Sequence, residues 1–357
     1  MTGDLIASAA EVTPGWLTDV LRTRGILGSG CVTAVTPGDA LATFATTVWR
    51  MRVTYSGATA ADVPERLFLK VTGPAAPGDP PSEFVRREHR FYTAIAPLMD
   101  PRFAIPCYGA AYDAATGAAH LLLKDIGDTH VACSEPEGVA GQAVDVLAEL
   151  HAFWWDHPRL GGDIGQFPTQ EERRQDVRGA EESTIAFMDA CGDALAATWR
   201  STYERVLAAL PSLYARHATG RNLTLAHGDA HLGNFLFPRD ADAGRTCAID
   251  WQFWHPTIGG TDLAFMIATN WEPGTRRRLE RPLLERYYRG LLERGVHGYT
   301  WDACWDDYHL SVILVSIFIP VWQWSLWHWA PNPAEVEASM TAYEELGCEE
   351  MLGREWR

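Results

Sequence analysis

Apolar and polar residues alternate along several short segments in the first third of the chain, which is the pattern of half-buried β-strands. The predicted strands are residues 32–37, 48–55, 66–71, 107–112 and 120–124. Two helices accompany them. Thr13-Pro14 is an N-cap followed by proline at the first helical position, with Gly25 as the stop, and residues 82–92 have a helical pattern. The first third therefore predicts a small sheet with helices.

Helical periodicity dominates the rest of the chain. The pattern predicts helices over residues 138–155, 274–294, 301–329 and 333–346, with residues 181–218 forming one long helix or two helices broken near Pro211. A sheet-rich first part followed by a mainly helical part predicts the α+β class.

The most informative stretch of the chain is residues 225–237, which contains an aspartate and an asparagine and is followed by a second aspartate. Apolar residues lead into His227-Gly228-Asp229, and Asn234 follows five residues after Asp229. A short apolar strand, a turn and a second apolar strand then end at Asp250. Phosphoryl transfer requires a group that positions the acceptor hydroxyl and oxygen ligands that bind magnesium. A carboxylate followed by an amide and a second carboxylate can supply both functions.

The pattern His227-Gly228-Asp229-x-His231-x-Gly233-Asn234, followed by Ile249-Asp250-Trp251, resembles the aminoglycoside phosphotransferase and choline kinase superfamily, near its bacterial ecdysteroid-kinase-like branch. The resemblance implies that Asp229 is the catalytic base, that Asn234 and Asp250 bind magnesium, and that ATP is the donor. It also implies that His231 supports the loop. Trp251-Gln252 replaces the Phe-Gly of protein kinases, which argues against a protein kinase.

Lys70 lies within an apolar strand, where a lysine is unusual unless it is paired. The resemblance implies that Lys70 contacts the nucleotide phosphates and pairs with a glutamate on the next helix. Glu88 is the predicted partner. Glu83 is the alternative, although a carboxylate in the first helical turn often serves only as a cap.

The nucleotide-covering loop and the hinge are less distinctive. Residues 38–47 contain one glycine, Gly38, and so depart from the glycine-rich phosphate loop, although backbone amides and threonine hydroxyls there remain candidates. Residues 121–127 fit a hinge between two lobes. The resemblance places adenine contacts near Leu123 to Asp125, and Asp125 is alternatively a cap or a ribose contact.

The implied architecture is a protein-kinase-like, two-lobed α+β fold. We expect an N-terminal lobe over residues 1–123, with an antiparallel sheet plus helix and the Lys70–Glu88 pair. Residues 124–357 would form a mainly helical C-terminal lobe with the catalytic loop, the metal site and the acceptor pocket. His151 and Asp262 are expected to be structural, Asp262 as an N-cap and loop brace.

Net charge and cysteine content limit the kinds of binding partner and the cellular compartment that we expect for this protein. The 357 residues carry a net charge of −16, which disfavours nucleic acid as a partner and is compatible with a cationic acceptor. Seven scattered cysteines without a Cys-x-x-Cys pair suit a reducing cytosol, and the N-terminus lacks the features of a signal peptide. We therefore expect a cytoplasmic enzyme, and the sequence gives no indication of its oligomeric state.

The apolar stretch 310–329 has two interpretations. A membrane span is one, but polar residues and a proline interrupt it and no basic flank follows, which favours a buried helix. Its aromatic residues, Phe318, Trp322, Trp324, Trp327 and Trp329, are candidates for an acceptor pocket or for core packing. Asp302, Asp306 and Asp307 are candidates for holding a cationic acceptor or simply belong to a solvated helix N-terminus.

The leading hypothesis is an ATP- and Mg²⁺-dependent kinase for a hydroxyl of a small molecule, such as an aminoglycoside, an amino sugar or a related metabolite. One alternative is a non-catalytic nucleotide-binding regulatory module on the same fold, since the phosphate loop is poor in glycine. Another is a metal-dependent phosphoesterase built on His227, Asp229, His231 and Asp250, which would leave Lys70 and Glu88 without a role.

Overall fold

The computed structural model describes residues 4–43, 46–57, 63–101, 103–240 and 244–356. Its strands are β1 Cys31–Pro37, β2 Leu41–Ala42, β3 Thr47–Ser56, β4 Arg66–Thr72, β5 Cys107–Tyr112, β6 Ala119–Lys124, β7 His130–Ala132, β8 Thr224–Ala226, β9 Phe235–Pro238, β10 Cys247–Ala248 and β11 His255–Thr257. Its α-helices are α1 Pro14–Thr23, α2 Glu83–Arg90, α3 Ala140–Trp154, α4 Gln170–Cys191, α5 Ala197–Leu213, α6 Ala215–Ala218, α7 Gly260–Ala264, α8 Pro273–Glu293, α9 Trp301–Leu314, α10 Ile319–Trp327 and α11 Pro333–Glu345. The predicted α+β class is confirmed.

The chain forms two compact units. The first comprises residues 1–132 and 236–253, and the second comprises residues 133–235 and 254–357. This division differs from the one expected at residues 123 and 124, because β7 pairs antiparallel with β9, and β10 joins β9 on its other side. That small sheet keeps residues 124–132 and the segment carrying Asp250 with the first unit.

The main sheet of the first unit is antiparallel, in the order β1-β3-β4-β6-β5 with β2 beside β3. Alternation along β4 buries Leu67, Leu69 and Val71, which join a core with Leu17 and Leu21 of α1. Because successive side chains in a strand point to opposite faces, Lys70 lies on the face opposite this core. The alternation that predicted the strand therefore also determines which face carries the lysine.

The helices of the second unit pack closely at small residues. The helices α3 and α8 meet where Gly290 approaches Ala148 so closely that a Cβ at position 290 would lie 2.9 Å from the Ala148 Cβ. A Cβ on Gly260 of α7 would lie 2.5 Å from the carbonyl oxygen of Asp307 on α9. The two-stranded β8–β11 ribbon adds to this unit, with all of β8 buried, and leads directly into His227.

The prediction for residues 181–218 was wrong about its limits and missed the break at Gly192, although a second break lies near Pro211, where α5 ends at Leu213 and α6 begins at Ala215. The helix α4 begins at Gln170 because Thr169 and Glu172 form a reciprocal capping box, and it ends at Gly192, whose φ is 53°. Pro211 lies inside α5, two residues before its end. Gly192 ends α4 because glycine adopts a positive φ without the strain that other residue types incur, and α5 ends two residues after Pro211, which cannot donate a backbone hydrogen bond.

By length and composition alone, Trp301–Trp327 is apolar enough to cross a membrane. In the structure this stretch is not one continuous α-helix, since Val315 ends α9 and a 3-10 turn over Ser316–Phe318 precedes α10. Of its most apolar window, 56% is buried inside the protein. Both features are typical of core helices, and the absence of a membrane span stays an expectation.

A buried histidine in the first unit provides a test of stability against pH. The backbone N–H of Ile6 donates to His120 Nδ1 at 3.1 Å, and burial lowers the pKa of His120 to about 4. The unfolded chain binds this proton near pH 6.5, so the folded protein loses stability as pH falls from 6.5 towards 4, by up to about 1.4 kcal/mol per pH unit.

We expect the urea midpoint of the wild type to fall more steeply between pH 6.5 and 4.5 than that of His120→Asn. The Asn oxygen can replace the Nδ1 acceptor but does not titrate. The same slope in both proteins would contradict the assignment. Burial also lowers the pKa of His217, to about 3. This histidine is present in both proteins, so part of the dependence of the urea midpoint on pH should remain in His120→Asn.

Candidate functional site

Lys70 holds together a cluster of charges in the first unit. Its Nζ lies 2.8 Å from Glu88 Oε1 and 2.7 Å from Asp250 Oδ1. The structure confirms the predicted Lys70–Glu88 pair, since the alternative, Glu83, binds Arg86 at 2.6 Å. Lys70 comes from β4, Glu88 from α2 and Asp250 from the turn after β10, so three elements converge on one ammonium group.

Burial and charge have opposite effects on Lys70. Burial alone would lower its pKa, but the carboxylates of Glu88 and Asp250 raise the pKa of Lys70 above its usual range. The lysine therefore stays protonated at any physiological pH. A fixed ammonium group that is only 12% exposed is a suitable contact for phosphate oxygens.

The backbone of Asp250 is in a conformation that non-glycine residues rarely adopt. Its φ is +60°, and its side chain is 41% exposed. The next residue, Trp251, is fully buried, stacks on Phe91 with ring centroids 3.8 Å apart, and donates from Nε1 to the carbonyl of Ala248 at 3.1 Å. The buried indole fixes the turn, and such strain concentrates at functional sites.

The segment of the second unit that carries the predicted base follows β8. The amide nitrogen of Asn234 donates to the backbone carbonyl of Asp229 at 2.8 Å and to Asp229 Oδ2 at 2.9 Å. Both hydrogen bonds use Nδ2, so the Asn234 Oδ1 remains as the oxygen donor that a hard cation requires. The structure thus brings Asp229 and Asn234 together, as the motif predicts.

A buried network anchors this loop. Asp262 accepts hydrogen bonds from the backbone N–H groups of His227 at 2.7 Å and Gly228 at 2.8 Å. His151 Nε2 lies 3.1 Å from the same carboxylate, and its Nδ1 lies 2.8 Å from the Tyr287 hydroxyl. His151, Asp262 and Tyr287 are all at most 1% exposed. The backbone of His227 and Gly228, the two residues directly before the proposed base Asp229, is therefore held in place by buried side chains.

The prediction for Asp262 was right about the brace and wrong about the cap. Asp262 lies within α7, whose N-cap is Gly259, and its carboxylate points to the loop instead. Burial alone would raise its pKa, but the bond to His151 and the backbone donors keep the pKa of Asp262 below its usual range. Sequence reasoning missed Tyr287, since a tyrosine in a long amphipathic helix has no distinguishing pattern.

We expect Asp262→Ala to lower kcat at least tenfold, because the N–H groups of His227 and Gly228 would be buried without an acceptor and the loop would lose its position. Each such group costs about 1–3 kcal/mol, so stability falls as well. Steady-state kinetics and thermal melting measure the two effects. A kcat equal to that of wild type in a destabilised variant would mean that the brace serves folding alone.

The predicted hinge and loop are engaged in local contacts. The N–H groups of Lys124 and Asp125 donate to the carbonyls of Pro106 at 2.9 Å and Arg66 at 3.2 Å, so Leu123 to Asp125 as an adenine contact stays a prediction. Asp125 caps its own turn, accepting from Gly127 N–H at 2.9 Å, as the capping alternative predicted.

In the loop over residues 38–47, Phe44 and Ala45 lie outside the described residues. The flanking Thr43 and Thr46 hydroxyls are 2.8 Å apart, and Thr43 N–H donates to the Thr46 carbonyl at 2.8 Å. These hydroxyls bond to each other, and β2 pairs with β3 beside them as a hairpin. Contact with phosphate from this loop stays a prediction.

Two of the acidic candidates in the C-terminal region have structural partners. Asp307 is 2% exposed and binds the Arg216 guanidinium through two hydrogen bonds of 2.7 and 2.8 Å. Asp306 binds Arg354 at 2.6 Å. Asp302 lies in the first turn of α9, where an acidic residue suits the helix N-terminus. Asp307 is therefore unsuited to hold a cationic acceptor, since it is buried against Arg216, and an acceptor contact by Asp302 or Asp306 stays a prediction.

The predicted site residues are thus distributed between the units. Lys70, Glu88 and Asp250 cluster in the first, and Asp229 and Asn234 in the second. Among the described residues, no three His, Cys, Asp or Glu side chains come close enough to hold a metal ion. Magnesium often takes one or two protein ligands and completes its shell with phosphate oxygens and water, so its binding by Asn234 and Asp250 stays a prediction. His227 is fully buried, which argues against the phosphoesterase hypothesis.

Comparisons with known proteins bear on the fold and on the family of this chain. The choline kinase of Streptococcus pneumoniae is 14% identical, with 88% of this chain and 94% of that chain covered and a TM-score of 0.51. The ethanolamine kinase of Plasmodium vivax is 10% identical, with 91% and 85% covered and a TM-score of 0.51. These similarities establish a protein-kinase-like fold. No curated protein matches significantly by sequence. The family model described as "phosphotransferase enzyme family" matches residues 52–299, more than half of the chain, and the protein therefore belongs to that family.

Proposed function

We propose that this protein is an ATP- and Mg²⁺-dependent kinase that phosphorylates a hydroxyl group of a small molecule, in the range from aminoglycosides and amino sugars to related metabolites. Membership of the phosphotransferase enzyme family supports the reaction class. The observation that carries the proposal is the position of Lys70 between Glu88 and Asp250, with Asp250 held at a φ of +60°. Such a cluster serves to position phosphates.

Each side chain has a role that its surroundings support. Lys70, held in place by Glu88, would contact phosphate oxygens of ATP. Asp250 and the Asn234 oxygen are the proposed magnesium ligands, an assignment that rests on the sequence motif because the two residues belong to different units. Magnesium would neutralise charge that develops on the transferred phosphoryl group.

Asp229 is the proposed catalytic base. Its side chain is 21% exposed, so it is accessible, and Asn234 Nδ2 donates to its Oδ2 at 2.9 Å. One carboxylate oxygen is thereby oriented, and Asp262 fixes the preceding backbone. A carboxylate held in this way can orient the acceptor hydroxyl and take its proton as the oxygen attacks phosphorus. The chain thus supplies positioning and a base, and little covalent chemistry is required.

The experiment is magnesium-dependent ADP release, measured against a panel of amino sugars, aminoglycosides, amino alcohols, sterols and nucleosides. We expect at least one acceptor to stimulate release, and EDTA to abolish it. Binding of ATP and magnesium without release for any acceptor would favour the alternative of a nucleotide-binding regulatory module. No binding of ATP would contradict the kinase proposal.

A further inference from the structure

The hydroxyl group of Tyr287 lies in the interior of the second unit. The residue is 1% exposed, and its neighbours on the buried side of α8, Leu284 and Leu291, are apolar. Burial raises the pKa of Tyr287 above its usual range, so the hydroxyl keeps its proton. Among the described residues its single hydrogen-bond partner is His151 Nδ1, at 2.8 Å. Phenylalanine would fill nearly the same space without a buried polar group, so the hydroxyl indicates a role beyond packing.

The charge of Asp262 determines which atoms donate in this network. Despite burial, hydrogen bonds from His151 and the backbone keep the pKa of Asp262 below its usual range, so the carboxylate is ionised and only accepts hydrogen bonds. His151 Nε2, at 3.1 Å from Asp262 Oδ2, therefore carries a proton. In the neutral imidazole Nδ1 is then the acceptor, and the Tyr287 hydroxyl donates to it. A doubly protonated imidazole would leave the Tyr287 proton buried without an acceptor among the described residues.

The other end of the network holds the backbone in front of the proposed base. Asp262 Oδ2 also accepts from the His227 N–H at 2.7 Å, and Asp262 Oδ1 accepts from the Gly228 N–H at 2.8 Å. Every hydrogen bond between the tyrosine and the loop therefore donates towards this carboxylate, and bonds aligned in this way strengthen one another. Two side chains thus connect the Tyr287 hydroxyl to the backbone that precedes Asp229.

Gly259, the N-cap residue of α7, leaves room for this hydroxyl group. A Cβ at position 259 would lie 2.1 Å from the Tyr287 hydroxyl oxygen and 2.9 Å from His151 Nδ1. The φ of Gly259 is −65°, which other residue types adopt without strain, so the backbone conformation does not require glycine here. The space that the hydroxyl and the imidazole occupy does require it. The fold thus keeps a space open for the hydrogen bond between Tyr287 and His151.

We propose that Tyr287 is a positioning residue for the proposed base, Asp229. Its hydroxyl orients His151, and the imidazole in turn holds the Asp262 carboxylate against the backbone of the loop. The proposal rests on the proposed function, since it concerns the base of the same reaction. Without the hydroxyl, His151 Nδ1 becomes a buried acceptor without a donor, and one hydrogen bond instead of two fixes the ring. The imidazole is then free to turn, and Asp262 loses the support that keeps it under the loop.

The test compares wild type with Tyr287→Phe, which removes one oxygen atom and keeps the ring. Hydrogen exchange measured by mass spectrometry follows the amides of His227 and Gly228 in a peptide of residues 225–229. We expect exchange there to become about tenfold faster, since a lost hydrogen bond of ordinary strength changes a local opening equilibrium by about that factor. Exchange in peptides of α4 should stay unchanged. The ¹⁵N chemical shift of His151 Nδ1, assigned with His151→Gln, should also change, because the nitrogen loses its donor.

The kinetic readout uses an acceptor that stimulates ADP release. In Tyr287→Phe we expect kcat to fall about tenfold, as is common when a residue that orients a functional side chain is lost, and the ATP dissociation constant to stay within about twofold of wild type. Tyr288→Phe is the matched control. Tyr288 is the next residue of α8, and its hydroxyl donates to the Tyr299 carbonyl at 3.2 Å instead. This variant should keep wild-type exchange in residues 225–229 and wild-type kcat.

Gly259→Ala is a second variant, because its Cβ would displace the hydroxyl without removing it. It should accelerate exchange in the same peptide, and adding Tyr287→Phe should change little more, since the same hydrogen bond is lost only once. Wild-type exchange and an unchanged His151 shift in Tyr287→Phe would overturn the proposal. Equal acceleration throughout the second unit, or a wild-type kcat despite faster exchange in the loop, would also overturn it by reducing the tyrosine to a role in folding. Failure of the kinase proposal is a separate result, namely no ATP turnover by wild type with any acceptor.

Discussion

Asp229→Asn lowers turnover by several orders of magnitude while ATP binding remains intact, if the role assigned to this carboxylate is correct. The amide cannot take the proton of an acceptor hydroxyl, and general base catalysis contributes about 10²–10⁴-fold to rate. The shape of the side chain is retained, so Asn234 keeps a hydrogen-bond acceptor at position 229. We therefore expect kcat to fall by about 10³-fold, with an ATP dissociation constant within about twofold of wild type.

Asp193→Asn is the matched control, because Asp193 is an exposed aspartate of the same unit and lies in a 3-10 turn far along the chain from the loop. It should have wild-type activity. Calorimetry with ATP and magnesium, followed by steady-state kinetics, measures both quantities. An Asp229→Asn enzyme that turns over at the wild-type rate would show that this residue is not the base.

Lys70→Ala should have the second largest effect, on both nucleotide use and stability. The substitution removes the ammonium group that lies 2.8 Å from Glu88 and 2.7 Å from Asp250, and it leaves Glu88, 7% exposed, as a buried carboxylate without its partner. Removing one member of a buried pair costs about 3–5 kcal/mol. Loss of a charged phosphate contact should also lower kcat/KM for ATP by about 10²-fold.

The double variant Lys70→Met with Glu88→Leu separates the two effects. Replacing a buried pair by apolar residues is often neutral for stability, so this variant should melt near the wild-type temperature while ATP use remains impaired. Thermal denaturation and ATP kinetics are measured on the same preparations. Wild-type ATP kinetics in the stable double variant would contradict the phosphate-binding role and reduce the pair to a structural one.

Sequence patterns predicted most of the elements and the local part of the site. Alternation located β4, and the spacing of Asp229 and Asn234 placed both residues on one loop, because both predictions depend on residues close in the chain. The Lys70–Glu88 pair was also predicted, although the choice of Glu88 over Glu83 depended on the resemblance.

Features that depend on distant segments were harder to predict. The β7–β9 pairing moved the division between the units, and no local pattern indicates which short strand another will meet. The buried Arg216–Asp307 pair resembled, in sequence, an exposed acidic cluster near a helix start. Tyr287 was missed for the same reason, since its partner His151 lies 136 residues away.

The central claim is that this protein transfers a phosphoryl group from ATP to an alcohol. The most direct measurement follows labelled phosphate from γ-³²P-ATP into an acceptor in the presence of magnesium, with wild type and Asp229→Asn in parallel. The account predicts label in an acid-stable phosphate ester for wild type, formed at a rate about 10³-fold lower in the variant. Label released only as inorganic phosphate, or transferred equally by both proteins, would contradict the account.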